Sequence, residues 1–240
     1  MEKMEKTEIH DAENKTDGLY AFFEKNRRGL LVSVVAILVF TAALIAVLLV
    51  NDTVRKGETA KLDVLIERYD KVKEVLSTEG ADGEAGGTGD EADVETLLGE
   101  LRALGESARA YPAARAWFMA ADIYHRRGEW EEAEAAWLAA AEKGAKTHLA
   151  PFSLFNAAVA GEERGDTEAA LMSYRKSLDF ADFPAAAHAQ FSVGRLEEKN
   201  GDNEAAIAAY RAVIDKWPSD TDWTNLAHSR ILTLEVIEAR

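Results

Sequence analysis

No cysteine occurs in this 240-residue chain, and proline occurs only four times. The first absence excludes disulfides, thiolate zinc sites, thiol nucleophiles and cysteine-linked lipid. The scarcity of proline, beside heavy use of alanine, favours helices, since alanine is the best helix former and proline the worst. Basic residues are also outnumbered: 28 Lys and Arg face 43 Asp and Glu, a formal charge of −15. A surface of that sign repels a phosphate backbone, which excludes nucleic acid as the expected partner. Chemistry-bearing motifs are missing as well. There is no GxSxG, no phosphate loop and no dinucleotide fingerprint. His10, His125, His148, His188 and His228 show no HExxH spacing and read as surface or groove side chains. The pairs Glu131 and Glu132, and Glu197 and Glu198, read as solvated helix faces. No catalytic, metal-binding or cofactor-binding residue is expected, and the chain does not read as an enzyme.

One long apolar run is present. Residues 30–50 carry no charge. As a helix they span about 31 Å, the thickness of a bilayer core. A cleaved signal peptide has a shorter apolar region and small residues at the cut. This run exits through Leu49-Val50-Asn51-Asp52 instead, which fits an uncleaved anchor. Lys25, Arg27 and Arg28 precede it, and Arg55 and Lys56 follow it. Three basic residues against two place the N-terminus in the cytoplasm and the large C-terminal part across the membrane. Residues 1–29 form a polar tail, read as loosely ordered over 1–24.

Residues 51–92 read as a juxtamembrane helix and a linker. Leu62, Leu65, Ile66, Tyr69, Val72 and Leu76 recur at helical steps on one face. The stretch 78–91 is rich in Gly and acid and cannot repay its ordering entropy, so a flexible linker is expected there. The helical period returns with Val94, Leu97, Leu98, Leu101, Leu104 and Ala108. Pro112 then marks a boundary, since its ring ends one helix and suits the first turn of the next.

Residues 93–240 contain an internal repeat. Gly128-Glu129, Gly165-Asp166 and Gly201-Asp202 are 37 and 36 residues apart. Each is followed by an alanine and, four residues on, an aromatic: Ala133 and Trp137, Ala170 and Tyr174, Ala206 and Tyr210. The glycine supplies the left-handed turn that ends a first helix. The acid beside it suits the start of a second. The alanine lets the pair approach closely. Pairs that cannot bury their own apolar faces stack into a solenoid. The spacing predicts an all-α chain: one membrane helix, then such a solenoid, closed by a capping helix over 221–238 with Leu226, Ala227, Ile231, Leu234 and Ile237 inward.

These residues resemble the tetratricopeptide-repeat (TPR) family over about 114–220. The first unit gives Trp117-x2-Ala120-Ala121-x2-Tyr124, Gly128 and Ala133-x3-Trp137; the third keeps Val193-Gly194, Ala206-x3-Tyr210 and Pro218. Gly161 and Glu197 replace the family tyrosine, and Ala145 and Asp182 its closing proline. Spacings above the usual 34 imply longer inter-repeat turns. The resemblance implies a concave groove lined by the first helices. With units starting at 114, 151 and 187, the groove row is Phe118, Phe155 and Phe191, with Asp122, Val159 and Arg195 beside it. Such a row can accept an apolar peptide or helix, or can pack against neighbouring helices instead. The family's dicarboxylate clamp is matched only by Asn156; Phe118, Asp122, His188 and Ser192 stand at its other positions. Recognition of a C-terminal carboxylate is therefore not expected.

The layout is similar to a bacterial family of ancillary Sec-translocon subunits. That resemblance implies a single-pass inner-membrane protein with a periplasmic scaffold. Its partners would be other proteins: the translocon, chaperones or envelope complexes. An alternative expectation is a structural adaptor of a division or outer-membrane assembly complex, a homo-oligomer joined through the helix 59–76.

Overall fold

A computed structural model describes the backbone of residues 2–82 and 88–238, and the side chains of 25–76 and 91–236. Among the described residues all regular structure is helical: α1 (Glu2–Asp82), α2 (Thr88–Ser107), α3 (Ala110–Arg126), α4 (Trp130–Lys143), α5 (Leu149–Glu163), α6 (Thr167–Ser177), α7 (Ala186–Lys199), α8 (Asn203–Lys216) and α9 (Thr221–Glu238). The prolines sit where their missing N–H costs nothing. Pro112 and Pro151 lie in the first turns of α3 and α5, and Pro184 and Pro218 lie in loops.

The chain divides into two units, residues 1–57 and 58–240. In the first, the stretch 31–50 exposes its apolar side chains, Phe40 at 72%. The helical segment Lys25–Leu76 contains a window long and apolar enough to cross a membrane, none of it buried. Its hydroxyls are satisfied internally. Ser33 donates to the Gly29 carbonyl at 3.0 Å, Thr41 to Ile37 at 2.6 Å and Thr53 to Leu49 at 3.0 Å. A helix in hydrocarbon must meet that condition, because an unpaired polar group there costs several kcal/mol, roughly the price of a lost hydrogen bond in an apolar medium.

The second unit begins with the end of α1. Leu62, Leu65 and Tyr69 pack with Val94, Leu97, Leu98, Leu101 and Leu104 of α2 and with Ala116, Met119, Ala120 and Ile123 of α3. The expected faces of both early helices are therefore the ones that bury. Three helix pairs follow: α3 with α4, α5 with α6, and α7 with α8. At each turn the glycine takes positive φ, 72° at Gly128, 77° at Gly165 and 82° at Gly201. Asp166 and Asp202 then cap α6 and α8 by accepting the Ala169 and Ala205 N–H groups at 3.0 and 2.9 Å, each worth about 1 kcal/mol. Glu129 makes no such bond. Ala133, Ala170 and Ala206 are fully buried, and Trp137, Tyr174 and Tyr210 nearly so. The turn 178–185 is long because it folds inward: Phe183 is buried in the cluster of α5, α6 and α7.

Four expectations change. The tail is helical in its backbone from Glu2. Helix also persists through Asp82 and resumes at Thr88, inside the expected linker; the rest of that stretch, 83–87, lies outside the described residues. Glu197 and Glu198 are half-buried rather than solvated, because arginines from neighbouring helices reach them. In α9, Ala227, Ile231 and Leu234 bury but Leu226 stays 47% exposed. One residue is a 100° step, which carries Leu226 off the stripe that meets α8. Ile237 lies outside the described side chains.

Candidate partner-binding face

The first helices of successive repeats meet along one face. Phe118, Phe155 and Phe191 occupy equivalent positions on α3, α5 and α7, and all three are half-buried. Each ring has neighbours that hold it without covering it. Phe118 lies under the Arg115 guanidinium, 5.8 Å from the ring centroid. Phe155 meets Tyr174 edge-on at 5.3 Å and His188 at 4.9 Å. Phe191 touches Tyr210 at 5.1 Å and Trp223 at 5.3 Å. His188 and Trp223 stack nearly parallel at 4.1 Å, which joins α7 to α9. Burial lowers the His188 pKa, the Arg195 guanidinium adds to that, and Glu162 opposes it. Val159 is half-buried in the same cluster as Phe155.

The charged positions of the row are engaged within the chain. Asp122 accepts the Tyr69 hydroxyl at 2.6 Å and Arg126 Nε at 2.7 Å. Arg195 donates to Glu162 at 2.6 Å. Glu162 also accepts the hydroxyl of Tyr174 at 2.8 Å. The pattern recurs one repeat on, where Glu198 accepts the Tyr210 hydroxyl at 3.0 Å and Arg230 Nε at 3.1 Å. Burial, with the carboxylate beside each hydroxyl, raises the Tyr69 and Tyr174 pKa values and pushes Tyr210 up to about 12. Tyr174 and Tyr210 therefore stay neutral donors that tie a second helix to the first, while Arg195 and Arg230 tie one repeat to the next; Tyr69 in the same way ties α1 to α3.

Asn156 is half-buried on α5. Ser192, at another of the clamp positions, is buried. The face ends in a cavity of about 400 Å³ lined by Phe191, Arg195, Glu198, Lys199, Tyr210 and Arg230. Sequence reading missed Trp223 and Arg230 as members of this face. The signal was present: each lies 35 residues after its counterpart, His188 or Arg195, close to the repeat spacing. Reading α9 as a cap hid it.

A family model described as tetratricopeptide repeat matches residues 101–148 and 155–221. A protein of Treponema pallidum (strain Nichols) named TPR repeat-containing protein is 33% identical over 221 residues, 90% of this chain and 92% of that one. Among solved structures, the kinesin light chain nearly identical TPR-like repeats of Podosopora anserina are 12% identical, with a TM-score of 0.47 over 74% of this chain and 96% of that chain. MamA is 13% identical, with a TM-score of 0.43 over 65% and 99%.

Proposed function

We propose that this chain, which belongs to the tetratricopeptide-repeat family, is a membrane-tethered scaffold that holds protein partners on the periplasmic side of a bacterial inner membrane. TPR repeats are protein-interaction scaffolds, and that much follows from family membership. The observation that carries the finer reading is the half-exposed row Phe118, Phe155 and Phe191, the last two braced from behind by the buried rings of Tyr174 and Tyr210. Aromatic rings fixed in this way offer large contact area at little entropy cost to an apolar peptide or helix. The uncharged helix 30–50 supports the tether, and the basic residues before it support the orientation. Translocon components or periplasmic chaperones are the proposed partners. Leu62, Leu65 and Tyr69 are already packed against α2 and α3, which disfavours the adaptor joined through that helix.

Protease added to intact spheroplasts tests the orientation: cleavage of the repeat domain supports it, and protection overturns it. A photoreactive side chain at position 155 tests the face, with the exposed position Glu168 of α6 as control. Crosslinks to a translocon or chaperone subunit from position 155 alone support the reading. Equal crosslinking from both positions sinks it. Phe155→Ala is expected to weaken that capture; a fall in melting temperature of several degrees with unchanged capture would make the ring a core residue.

A further inference from the structure

The partner-binding face changes character along α7. His188 and Phe191 occupy the first half of the helix. Arg195 and Lys199 follow Phe191 at one-turn steps, about 6 and 12 Å further along the axis. With Arg230 of α9 they line the cavity of about 400 Å³ in which the face ends, and Phe191 forms part of its wall.

The carboxylates that pair with the two arginines lie underneath them. The Arg195 side chain is 47% exposed and its partner Glu162 17%; Arg230 is 42% exposed and its partner Glu198 20%. The outer layer of the cavity is therefore cationic. Its donors are only partly engaged. Arg195 uses Nη2 on Glu162, and Arg230 uses Nε and Nη2 on Glu198. Among the described residues, Arg195 Nε and Nη1 and Arg230 Nη1 have no acceptor, although a guanidinium offers five N–H donors. Lys199 is exposed and has no ion pair among the described residues. Three cations over two carboxylates leave one positive charge unmatched, in a chain whose net charge is −15.

We propose that this cavity takes one carboxylate side chain of the protein partner, an Asp or Glu standing one to two helical turns beyond the apolar residues that lie on Phe155 and Phe191. The inference rests on the aromatic row being the partner-binding face. Charge selects the occupant in two ways. The unmatched cation and the idle donors at the cavity attract a single carboxylate. The acidic surface of the rest of the chain repels a segment that carries many. None of the three cations stands at a position of the family's dicarboxylate clamp, so the contact differs from capture of a chain terminus. A row of rings alone accepts an apolar segment in either direction. A cationic cavity at one end of the row gives the bound segment a polarity.

Fluorescent amphipathic peptides test this. Each carries leucines on one helical face and Glu, Gln or Lys one turn past the last leucine. Binding to the full-length protein in mild detergent is read by anisotropy. The Glu peptide is expected to bind about threefold or more tighter than the Gln peptide, the scale of one exposed ion pair, with the Lys peptide weakest. The preference is expected to shrink as salt is raised. Lys199→Glu is expected to abolish it with unchanged circular dichroism. Lys146→Glu makes the same charge change in the exposed turn between α4 and α5 and is expected to preserve it. Phe155→Ala is expected to weaken all three peptides together. Equal binding of the three by the wild type overturns the carboxylate site and leaves the apolar face standing. A preference that survives Lys199→Glu also overturns it, by placing the carboxylate elsewhere. Binding of none of them sinks the face itself, and the cavity's role with it.

Discussion

The second and third repeats close on a tyrosine, a glutamate and an arginine; the first closes on a histidine and a tryptophan. The positions are equivalent. His125, Glu162 and Glu198 each stand three residues before the turn glycine, and Trp137, Tyr174 and Tyr210 stand nine after it. In the later repeats the hydroxyl reaches the carboxylate at 2.8 and 3.0 Å. In the first, the rings meet at 5.3 Å, and His125 Nδ1 and Trp137 Nε1 are both buried without a hydrogen-bond partner among the described residues. The same helix geometry is thus held by polar closure in two repeats and by ring packing in one. An unpaired buried polar atom costs about 1–3 kcal/mol, so the first repeat relies more on its apolar contacts.

The comparison breaks most sharply at Glu162. Glu162→Ala removes the acceptor of the Tyr174 hydroxyl and frees Arg195, and is expected to cost about 1–3 kcal/mol in urea unfolding. A cost below half of that would show that the tyrosine ring alone holds the pair. Transplanting the later arrangement sharpens it. His125→Glu and Trp137→Tyr together are expected to be about 1–2 kcal/mol more stable than the sum of the single changes. Additive singles would mean the new pair does not form. The entrance to the first repeat gives a smaller effect. The later turns put glycine at positive φ, whereas Ala110 at the start of α3 sits at φ 49°. Ala110→Gly is expected to stabilise by about 1 kcal/mol by relieving that strain. A loss of stability would count against the strain argument.

The smallest effect is one of pH. The His188 pKa is lowered in the folded chain, by burial first and by Arg195 second, with Glu162 in opposition. As pH falls through the ordinary histidine range, the unfolded chain takes up a proton that the folded chain resists. Stability from this group is therefore full above that range and declines below it. Melting temperature is expected to fall between pH 7 and pH 5, around the reference histidine pKa of about 6.5, and Phe at position 188 to flatten that slope. An unchanged slope in the variant would assign the pH dependence to other groups.

Much of the fold could be read from spacing. The faces of residues 62–76 and 94–108, the three turn glycines and the buried alanine–aromatic pairs all follow from helical periodicity and repeat distance. Half of the candidate face could be read as well, in Phe118, Phe155 and Phe191. What escaped was pairing between helices. Glu197 and Glu198 look solvated because the cations near them in sequence, Arg195 and Lys199, do not show which charges will meet them; their arginines are Arg175 and Arg230. Asp122 and Arg195 look like free groove charges until Tyr69 and Glu162 are brought beside them.

The sequence by itself determined where helices start, stop and turn, because capping, positive φ and amphipathic period act within a few residues. It also determined that the units stack, since no single pair can bury its own apolar face. Only the tertiary structure decided which carboxylate meets which arginine, and which side of α9 is left bare. Those outcomes depend on how helices some 35 residues apart in the chain are rotated against one another, and a rotation of one residue, about 100°, is enough to turn a core side chain outward.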